Sequence, residues 1–558
     1  MKVLFTSVCR PLGPDYGDAP SVGYELLHGQ VTRAQGLFSP REHLVHYSLE
    51  YIAANLETPC VVLQYPSRRE LIRELKKGYD YVGISFILAV FHRMKDVVAL
   101  VRKYSPSARI ILGGYGTVLP DEILAPFADH ICRGEGVAYM RQLLGEPELA
   151  MPYRHPLFTG RLNIFSLPAS TTGIILGGLG CPNGCDFCAT SHFFRRRHIK
   201  LLPTGRDIYE VVERYLDIDP DTGIVILDED FLLNKRRAME FRDCVIKGGR
   251  TPSLFVFASI RALSQYTVEQ ILEMGIDGVW IGYEGTRAGY AKQEGRPAAE
   301  IFREFREHGI TILASMIVGL PYQDEAVVEE ELEGLLELKP ALSQFLIYGP
   351  TPGTPFYEQV MAEGTLRADL AADPELYYRT CDGFAAMVEH PSLSTAEIEA
   401  QQRRCFDRDF ERLGPSIFRF METWSLGHEK LKDSPNPTLR GKAEKFAREV
   451  RKGYPIFLAG RLLAPNAEVR SWIAEMEESI HERLGRPTLA ERLRSLFALG
   501  MALWTGLKLE LRIFQHPRLV RRVHRIPVAD RASIQAPVRL SEAARLTVGS
   551  PAGERVAS

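Results

Sequence analysis

Short apolar runs alternate with helical stretches over the first part of the chain. The runs at residues 2–7, 60–63, 81–86 and 109–112 have the length and β-branched content of buried strands. The stretches between them carry apolar side chains at helical spacing. Strands that alternate with helices predict βαβ units and a parallel sheet. We therefore expect residues 1–145 to form an α/β domain.

A second series of the same kind begins at residue 173. Its candidate strands are residues 174–179, 224–228, 254–258, 278–282, 312–318 and 344–348. Six βα repeats over residues 173–360 predict a partial (β/α)6 barrel, in which ligands bind at the carboxyl ends of the strands. Prolines and weak periodicity indicate a linker at residues 146–172. Residues 361–526 are expected to be mainly helical, and residues 527–558 to form a disordered tail.

Composition narrows the class of protein. The 558 residues carry a formal net charge of −2, with 45% hydrophobic and 25% charged residues. This length exceeds what one core supports, and near-neutrality gives no electrostatic sign of a nucleic-acid partner. We expect neither a signal peptide nor a spanning segment. Nine cysteines, an odd number scattered along the chain, argue for a reducing compartment and a cytoplasmic protein.

Three of the cysteines stand close together in a glycine-rich loop. Cys181, Cys185 and Cys188 follow the first barrel strand in the segment GGLGCPNGCDFC. Thiolates at this spacing can bind three irons of a [4Fe–4S] cubane and leave the fourth iron open to a small molecule. A zinc site completed by His192 is the competing hypothesis. A non-catalytic metal-binding scaffold or sensor is a remote third.

The cysteine loop resembles that of the radical S-adenosylmethionine (SAM) superfamily. The matching features are the CxxxCxxC spacing, the aromatic Phe187 before the third cysteine, and the position in the first βα loop of a six-repeat barrel. The resemblance implies an enzyme whose [4Fe–4S] cluster cleaves S-adenosyl-L-methionine reductively to a 5′-deoxyadenosyl radical. It also implies a reducing electron donor of the flavodoxin or ferredoxin type.

The same resemblance assigns SAM contacts to later strand ends. Glu229 and Asp230, after the second strand, are candidates for the methionine amino group, and the missing GGE sequence leaves the choice between them open. Arg261, after the third strand, is the candidate for the SAM carboxylate. A solvated turn for the two acids, and a surface ion pair for Arg261, are the alternatives.

Two further contacts are implied at the fourth and fifth strands. Glu284 is the candidate for the ribose hydroxyls, with an ion pair to Arg287 as the alternative. Gly319 follows the fifth strand, where the backbone would line the adenine pocket. These residues complete the SAM site that the resemblance implies.

The front domain resembles the flavodoxin- or Rossmann-like B12-binding domain of one radical SAM class. Ser85 and the Gly113–Gly114 turn would lie nearest to cobalamin. The DxHxxG motif of that domain is absent, because Asp129 and His130 are adjacent. A front domain that binds nothing is the alternative.

These features together predict a cobalamin-dependent methyltransferase that acts on an unactivated carbon of a small-molecule or lipid substrate. Oxidation, rearrangement or C–C coupling without methyl transfer is the alternative chemistry. Residues 486–525 add nine Lys and Arg against two Asp and Glu, interleaved with apolar residues. Such a stretch can lie on anionic lipid. We prefer a helix packed on the barrel with a solvated basic face, which leaves membrane-surface association as the secondary hypothesis.

Overall fold

Two sheets and a helical region make up the fold, which confirms the predicted α/β class. The computed structural model describes residues 1–10, 26–42, 46–513 and 519–525. The first five strands are β1 Val3–Thr6, β2 Cys60–Gln64, β3 Tyr81–Ser85, β4 Arg109–Gly113 and β5 His130–Ile131. They pair in parallel in the order β2-β1-β3-β4-β5. The helices of this front domain are α1 Tyr47–Ala53, α2 Arg68–Leu75, α3 Phe91–Tyr104, α4 Asp121–Leu124 and α5 Gly136–Leu144.

The front sheet has one more strand, which comes from the far end of the chain. Strand β13, Val520–His524, pairs antiparallel with β2. Its side chains contact buried acids of the front domain: Arg521 binds Glu74 at 2.9 Å, and His524 lies 2.6 Å from Glu50. This strand is an exception in a C-terminal region that is otherwise helical, as predicted. Three of its five residues are Arg or His, so it has no apolar run that would predict a strand, and ion pairs to buried acids hold it in place.

The second sheet is the open half-barrel predicted for the middle of the chain. Its strands are β6 Phe158–Ile164, β7 Leu167–Leu176, β8 Gly223–Leu227, β9 Ser253–Phe257, β10 Ile276–Glu284, β11 Thr311–Val318 and β12 Leu342–Ile347. Strands β7 to β12 are parallel and follow chain order. The helices between them are α6 Ala189–Phe193, α7 Gly205–Ile218, α8 Lys235–Gly248, α9 Ile260–Leu263, α10 Val268–Glu273, α11 Ala298–Glu307 and α12 Glu325–Glu337.

The segment expected to be a linker, residues 146–172, contains an antiparallel hairpin instead. Strands β6 and β7 pair from Phe158 with Ile174 to Ile164 with Leu167. The Tyr215 hydroxyl donates to the Ile174 carbonyl at 2.7 Å and accepts from the Phe158 N–H at 2.7 Å, which ties both strands to α7. Most residues of the hairpin are half-buried or exposed. Its polar composition therefore hid the strands from the hydrophobic pattern.

Burial alternates along the barrel strands and separates a packed face from a cavity face. In β8, Ile224 and Ile226 are buried, whereas Val225 and Leu227 are half-buried and line a cavity. Because successive side chains of a strand point to opposite faces, one face packs on the helices and the other faces the barrel interior. The largest core cluster lies on the packed face.

The C-terminal region is helical from α13 to α21. Its helices are α13 Pro355–Glu363, α14 Ala368–Ala372, α15 Pro374–Thr380, α16 Thr395–Leu413, α17 Ser416–Leu431, α18 Pro437–Lys452, α19 Phe457–Leu463, α20 Ala467–Leu484 and α21 Leu489–Glu510. In the described ranges, no helix has the length and hydropathy needed to cross a bilayer. The tail expected at residues 527–558 lies outside the described residues.

Candidate functional site

The three cysteines lie in a tight loop between β7 and α6. Cys181 is buried, Cys185 and Cys188 are half-buried, and Cys188 is the residue before the first turn of α6. Gly180 and Gly184 have φ values of 79° and 72°, a region that other residues rarely adopt. The glycines of the motif therefore allow the sharp turns that the loop makes between β7 and α6.

Hydrogen bonds within the loop fix its shape. The Ser191 hydroxyl donates to the Cys181 carbonyl at 2.7 Å and accepts from the Gly184 N–H at 3.1 Å. His192 Nε2 lies 3.0 Å from the Cys185 carbonyl, so this nitrogen is occupied and does not act as a fourth zinc ligand. Among the described residues, no three His, Cys, Asp or Glu side chains are arranged around a single metal ion. In a cubane, by contrast, each thiolate binds its own iron.

The thiols fit a metal cluster in their chemistry. Burial raises the pKa of Cys181 to about 12, and it also raises the pKa values of Cys185 and Cys188. Backbone N–H groups of Asn183 and Ser191 donate toward Cys181 and Cys188 and offset part of this rise. Metal binding deprotonates a thiol outright, and N–H donors to sulfur tune iron–sulfur clusters. The donor set therefore fits the predicted [4Fe–4S] cluster.

Asn183 joins the cysteine loop to the next two strand ends. Its amide donates to Asp230 at 3.0 Å and accepts from Arg261 at 2.7 Å. Asp230 is buried and also accepts from the Ser259 N–H at 3.2 Å. The structure thus brings two of the predicted SAM contacts together through Asn183, which sequence reasoning missed. Its position between two of the cysteines was the available signal.

Asp228 and Glu229 have different surroundings although they are adjacent. Asp228 is buried against Arg237, at 2.5 Å, and His198, at 3.2 Å. Arg237 also donates to the Gly177 carbonyl at 2.8 Å, so this pair anchors the start of the cysteine loop. Glu229 lines the cavity, and burial together with the charge of Asp228 raises its pKa to about 7. Glu229 is therefore the acid that is free to meet a ligand.

Glu284 lies in an ion pair at the end of β10, at a φ of 59°. Its partner is Lys292, and Arg287 binds Glu330 instead at 2.5 Å. Burial lowers the pKa of Lys292, but the Glu284 carboxylate and the Cys185 thiol outweigh it and raise the pKa overall. Lys292 is a cation next to the cysteine loop that the sequence did not single out.

Aromatic side chains pack against the cysteine loop at Phe187. The Phe187 ring lies 5.3 Å from Tyr290 and 6.1 Å from Tyr348, centroid to centroid. Both tyrosine hydroxyls donate to Asp186, at 2.9 Å and 2.7 Å. Phe187 therefore belongs to a packed cluster that ties the cysteine loop to the end of β12.

Gly319 lies after β11 at a φ of 86° and is buried. Its N–H donates to the Gln323 side chain at 2.7 Å, and Gln323 in turn donates to Glu331 at 2.8 Å. The N–H of Gly319 is thus occupied by the protein. A contact with adenine would have to come from its carbonyl, so the predicted role of Gly319 stays a hypothesis.

A cavity of about 1260 Å³ lies between the front sheet and the half-barrel and continues through the barrel interior. Ser85, Gly113 and Gly114 line it from the carboxyl edge of the front sheet, and Glu229 lines it from the barrel. The cavity is larger than usual ligand pockets of about 300–1,000 Å³. It thus has room for a large cofactor and a substrate beside the cysteine loop.

The glycine turn at this edge leaves space only for backbone. Gly114 has a φ of 89°, and a Cβ there would lie 2.6 Å from the Phe86 carbonyl oxygen. His130 lies in β5, with its ring 6.0 Å from that of Tyr81, and it does not line the cavity. The edge of the front sheet therefore fits a cofactor held by backbone and shape, without a ligand from His130.

Two known protein families match this chain, one over the front domain and one over the half-barrel. Residues 37–144 match the B12 binding domain, and residues 175–335 match the radical SAM superfamily. The chain therefore carries a B12-binding domain followed by a radical SAM domain. This confirms the resemblance proposed from the cysteine loop and the front domain.

Several known proteins resemble this chain. The solved structure of the radical SAM methyltransferase TsrM from Kitasatospora setae, with cobalamin and a [4Fe–4S] cluster bound, has a TM-score of 0.53 at 14% identity. The match covers 80% of this chain and 99% of TsrM and shows a shared fold. An uncharacterized methyltransferase of Pyrococcus horikoshii is 22% identical over 51% of this chain and 70% of its own length. The anaerobic magnesium-protoporphyrin IX monomethyl ester cyclase of Cereibacter sphaeroides is 24% identical, over 52% of this chain and 54% of the cyclase.

The Asn183 network gives a testable prediction for this radical SAM site. Asn183→Ala removes the partner of both Asp230 and Arg261. We expect bound iron to stay unchanged and SAM affinity to fall by about 10- to 100-fold, since partners that orient ligand groups contribute on this scale. Equilibrium dialysis of the anaerobic protein measures the affinity. Asn163→Ala, at a hairpin amide with only 3.4 Å hydrogen bonds, is the matched control, and equal affinity of the two variants would contradict the prediction.

Proposed function

We propose that this chain is a cobalamin-dependent radical SAM methyltransferase that acts on an unactivated carbon. The observation that carries the proposal is the single cavity lined by both the carboxyl edge of the front sheet and the mouth of the half-barrel. The B12-binding match, and the methyltransferase names of a relative and a structural neighbour, support it. Similarity to the cyclase keeps oxidation or coupling without methyl transfer as the second candidate.

Each group at the site has a proposed role in this function. Cys181, Cys185 and Cys188 would hold the cluster, and Asp230 and Arg261 would orient the amino acid end of SAM through charge-assisted hydrogen bonds. When bound, the cluster and SAM would supply a radical that abstracts a hydrogen atom, and cobalamin would supply the methyl group.

Three further residues would complete the ligand contacts. Glu229 faces the cavity, so it is an acceptor for a ligand ammonium or hydroxyl group. Glu284 keeps one carboxylate oxygen for ribose while Lys292 neutralises it. Ser85 and the turn at Gly113–Gly114 would face cobalamin across the cavity.

The barrel interior would orient the substrate and exclude water. Phe257 stacks on Trp280 with ring centroids 4.9 Å apart, and both line the cavity. Trp280 Nε1 donates to Ser315 at 2.6 Å, and Ser315 donates to Gln344 at 2.9 Å. Apolar walls with one polar chain suit a mainly apolar substrate that carries a polar group. Exclusion of water and oxygen protects a reactive carbon during transfer.

The electron donor and location follow from the same chemistry. A flavodoxin- or ferredoxin-type protein would reduce the cluster, and a cytoplasmic location would provide it. All nine cysteines are free, which supports a reducing compartment.

The experiment is a cofactor assay followed by isotope transfer. The protein is produced with cobalamin supplied and is purified without oxygen. We expect about four irons and one cobalamin per chain. It is then incubated with a reductant, an organic cell extract and SAM that carries a deuterated methyl group.

The expected products carry the deuterated methyl group and form together with 5′-deoxyadenosine. Protein prepared without cobalamin is the control. Deoxyadenosine formation with cobalamin bound but no labelled product would favour the second candidate. Iron without cobalamin would overturn the proposal.

A further inference from the structure

Helix α21 exposes its large apolar side chains. Leu493, Leu496, Phe497, Leu503, Trp504 and Leu507 each expose between 43% and 61% of their surface. Their three- and four-residue spacing places them on one face of the helix. The opposite face packs on the protein through the buried Ala498 and Ala502. The expectation of a packed helix with a solvated basic face is therefore half wrong, because the helix packs through small residues and leaves an apolar stripe uncovered.

Positive charge flanks this stripe. Arg492 and Arg494 are exposed, and in the described part of the chain neither forms an ion pair. Of the two acids in α21, Glu491 is bound to Arg451 at 3.1 Å. An amphipathic helix with apolar residues, a tryptophan and flanking arginines matches the interface of an anionic bilayer.

The same face fits a second copy of the chain less well. In a two-fold dimer this surface would meet its own copy, which carries Arg492, Arg494 and Lys508 against one exposed acid, Glu510, so repulsion between like charges would exceed attraction. Scattered apolar residues are normal on a surface, but a continuous stripe of this kind marks an interaction site. Charge therefore favours lipid over self-association.

The cavity connects this helix to the reaction site. Arg494 and Phe497 line it, together with Gly223 and Thr311 at the starts of β8 and β11. Glu229 lines its other end, beyond the carboxyl end of β8. The cavity thus runs through the half-barrel, from the region of α21 to the side where the cysteine loop lies.

We propose that α21 docks the chain on the surface of an anionic bilayer, and that the substrate is an apolar, lipid-like molecule that enters the barrel beside this helix. The identity of the substrate rests on the proposed function. The docking surface stands on the stripe, the arginines and the cavity.

Vesicle sedimentation with the full chain tests the docking. Wild-type protein is expected to bind phosphatidylcholine vesicles that contain phosphatidylglycerol about tenfold more tightly than vesicles of phosphatidylcholine alone. Replacing Leu496, Leu503 and Trp504 with Gln should reduce binding to both vesicles at least tenfold. The matched control replaces exposed apolar residues elsewhere, Ile218, Ile246 and Leu376, with Gln and should bind as wild type does.

The contribution of charge is tested with the double variant Arg492→Gln and Arg494→Gln. We expect its affinity for the anionic vesicles to fall about tenfold and its affinity for neutral vesicles to equal that of wild type. Quenching of Trp504 fluorescence by brominated lipid, taken against Trp504→Phe, checks that α21 itself inserts. Absence of wild-type binding to either vesicle would overturn the proposal. The proposal would also be overturned if the stripe and control variants reduced vesicle binding equally. The same holds if wild-type protein formed dimers in sedimentation equilibrium and the stripe variant did not.

Failure of this proposal is distinguishable from failure of the proposed function. Vesicle binding is measured without SAM or cobalamin, so it does not depend on methyl transfer. If the protein binds vesicles but forms no labelled products, the docking proposal stands and the methyltransferase assignment is contradicted. If the protein does not bind vesicles but forms labelled polar products, the methyltransferase assignment stands and the proposal of a lipid-like substrate is contradicted.

Discussion

Replacing Cys181, Cys185 and Cys188 with Ala is expected to abolish both the iron–sulfur absorbance and the cleavage of SAM. In the proposed cluster each of the three thiolates would bind one iron, and no other cysteine lies in the loop to replace them. Two of the side chains are only half-buried, so the loss of stability is expected to stay at about 1 kcal/mol per site. Iron, sulfide and 5′-deoxyadenosine assays on the anaerobic protein measure the effect.

The matched control for this variant is Cys244→Ala. Cys244 is a half-buried cysteine of α8 outside the loop, so it repeats the chemical change away from the site. It should keep full iron content and cleavage. Cleavage that persists in the triple variant would refute the assignment of the cluster.

Substitution of Gly114 by Ala should lower bound cobalamin at least tenfold while iron content stays at the wild-type level. The added Cβ would collide with the Phe86 carbonyl at 2.6 Å and strain a backbone at a φ of 89°. A non-glycine residue at a φ of 89° and a ψ of 178° costs about 1–3 kcal/mol before the collision is counted. The turn would shift into the cavity edge where we place cobalamin. Absorbance spectra and extracted cobalamin give the readout.

Gly78→Ala separates strain from collision. Gly78 has a φ of 74°, but a Cβ there would meet nothing within 4 Å. This variant should keep its cobalamin and lose a little stability. Full retention of cobalamin in Gly114→Ala, or equal loss in both variants, would remove Gly114 from the cofactor site.

Most strands of the two parallel sheets could be predicted, because burial on one or both faces requires a run of apolar residues; the two-residue strand β5 is too short to give one. All six parallel strands of the half-barrel lie where such runs were found. The β6–β7 hairpin and β13 could not be predicted in this way. Their side chains are mostly half-buried or exposed, and partners remote in sequence, such as Tyr215 for the hairpin and Glu50 for β13, hold them.

The parts of the candidate site that belong to a sequence motif could be predicted. The cysteines and strand-end acids stand out in the sequence, and the structure places Asp230 and Arg261 on a common partner. Lys292 has no such signal, and Asn183 has only its position between two of the cysteines, because their importance arises when strand ends meet in space. The predicted roles of Glu229, Glu284 and Gly319 await the binding measurements.

Strand β13 has a mechanical consequence for the whole molecule. The front domain is joined to the rest of the described chain through the segment after α5, through α14 and α15, which contribute to its core, and through the pairing of β13 with β2. A domain held at several separate points cannot rotate about a single hinge. The pairing of β13 with β2 therefore limits how far the front domain can move relative to the half-barrel, and it fixes the front wall of the cavity.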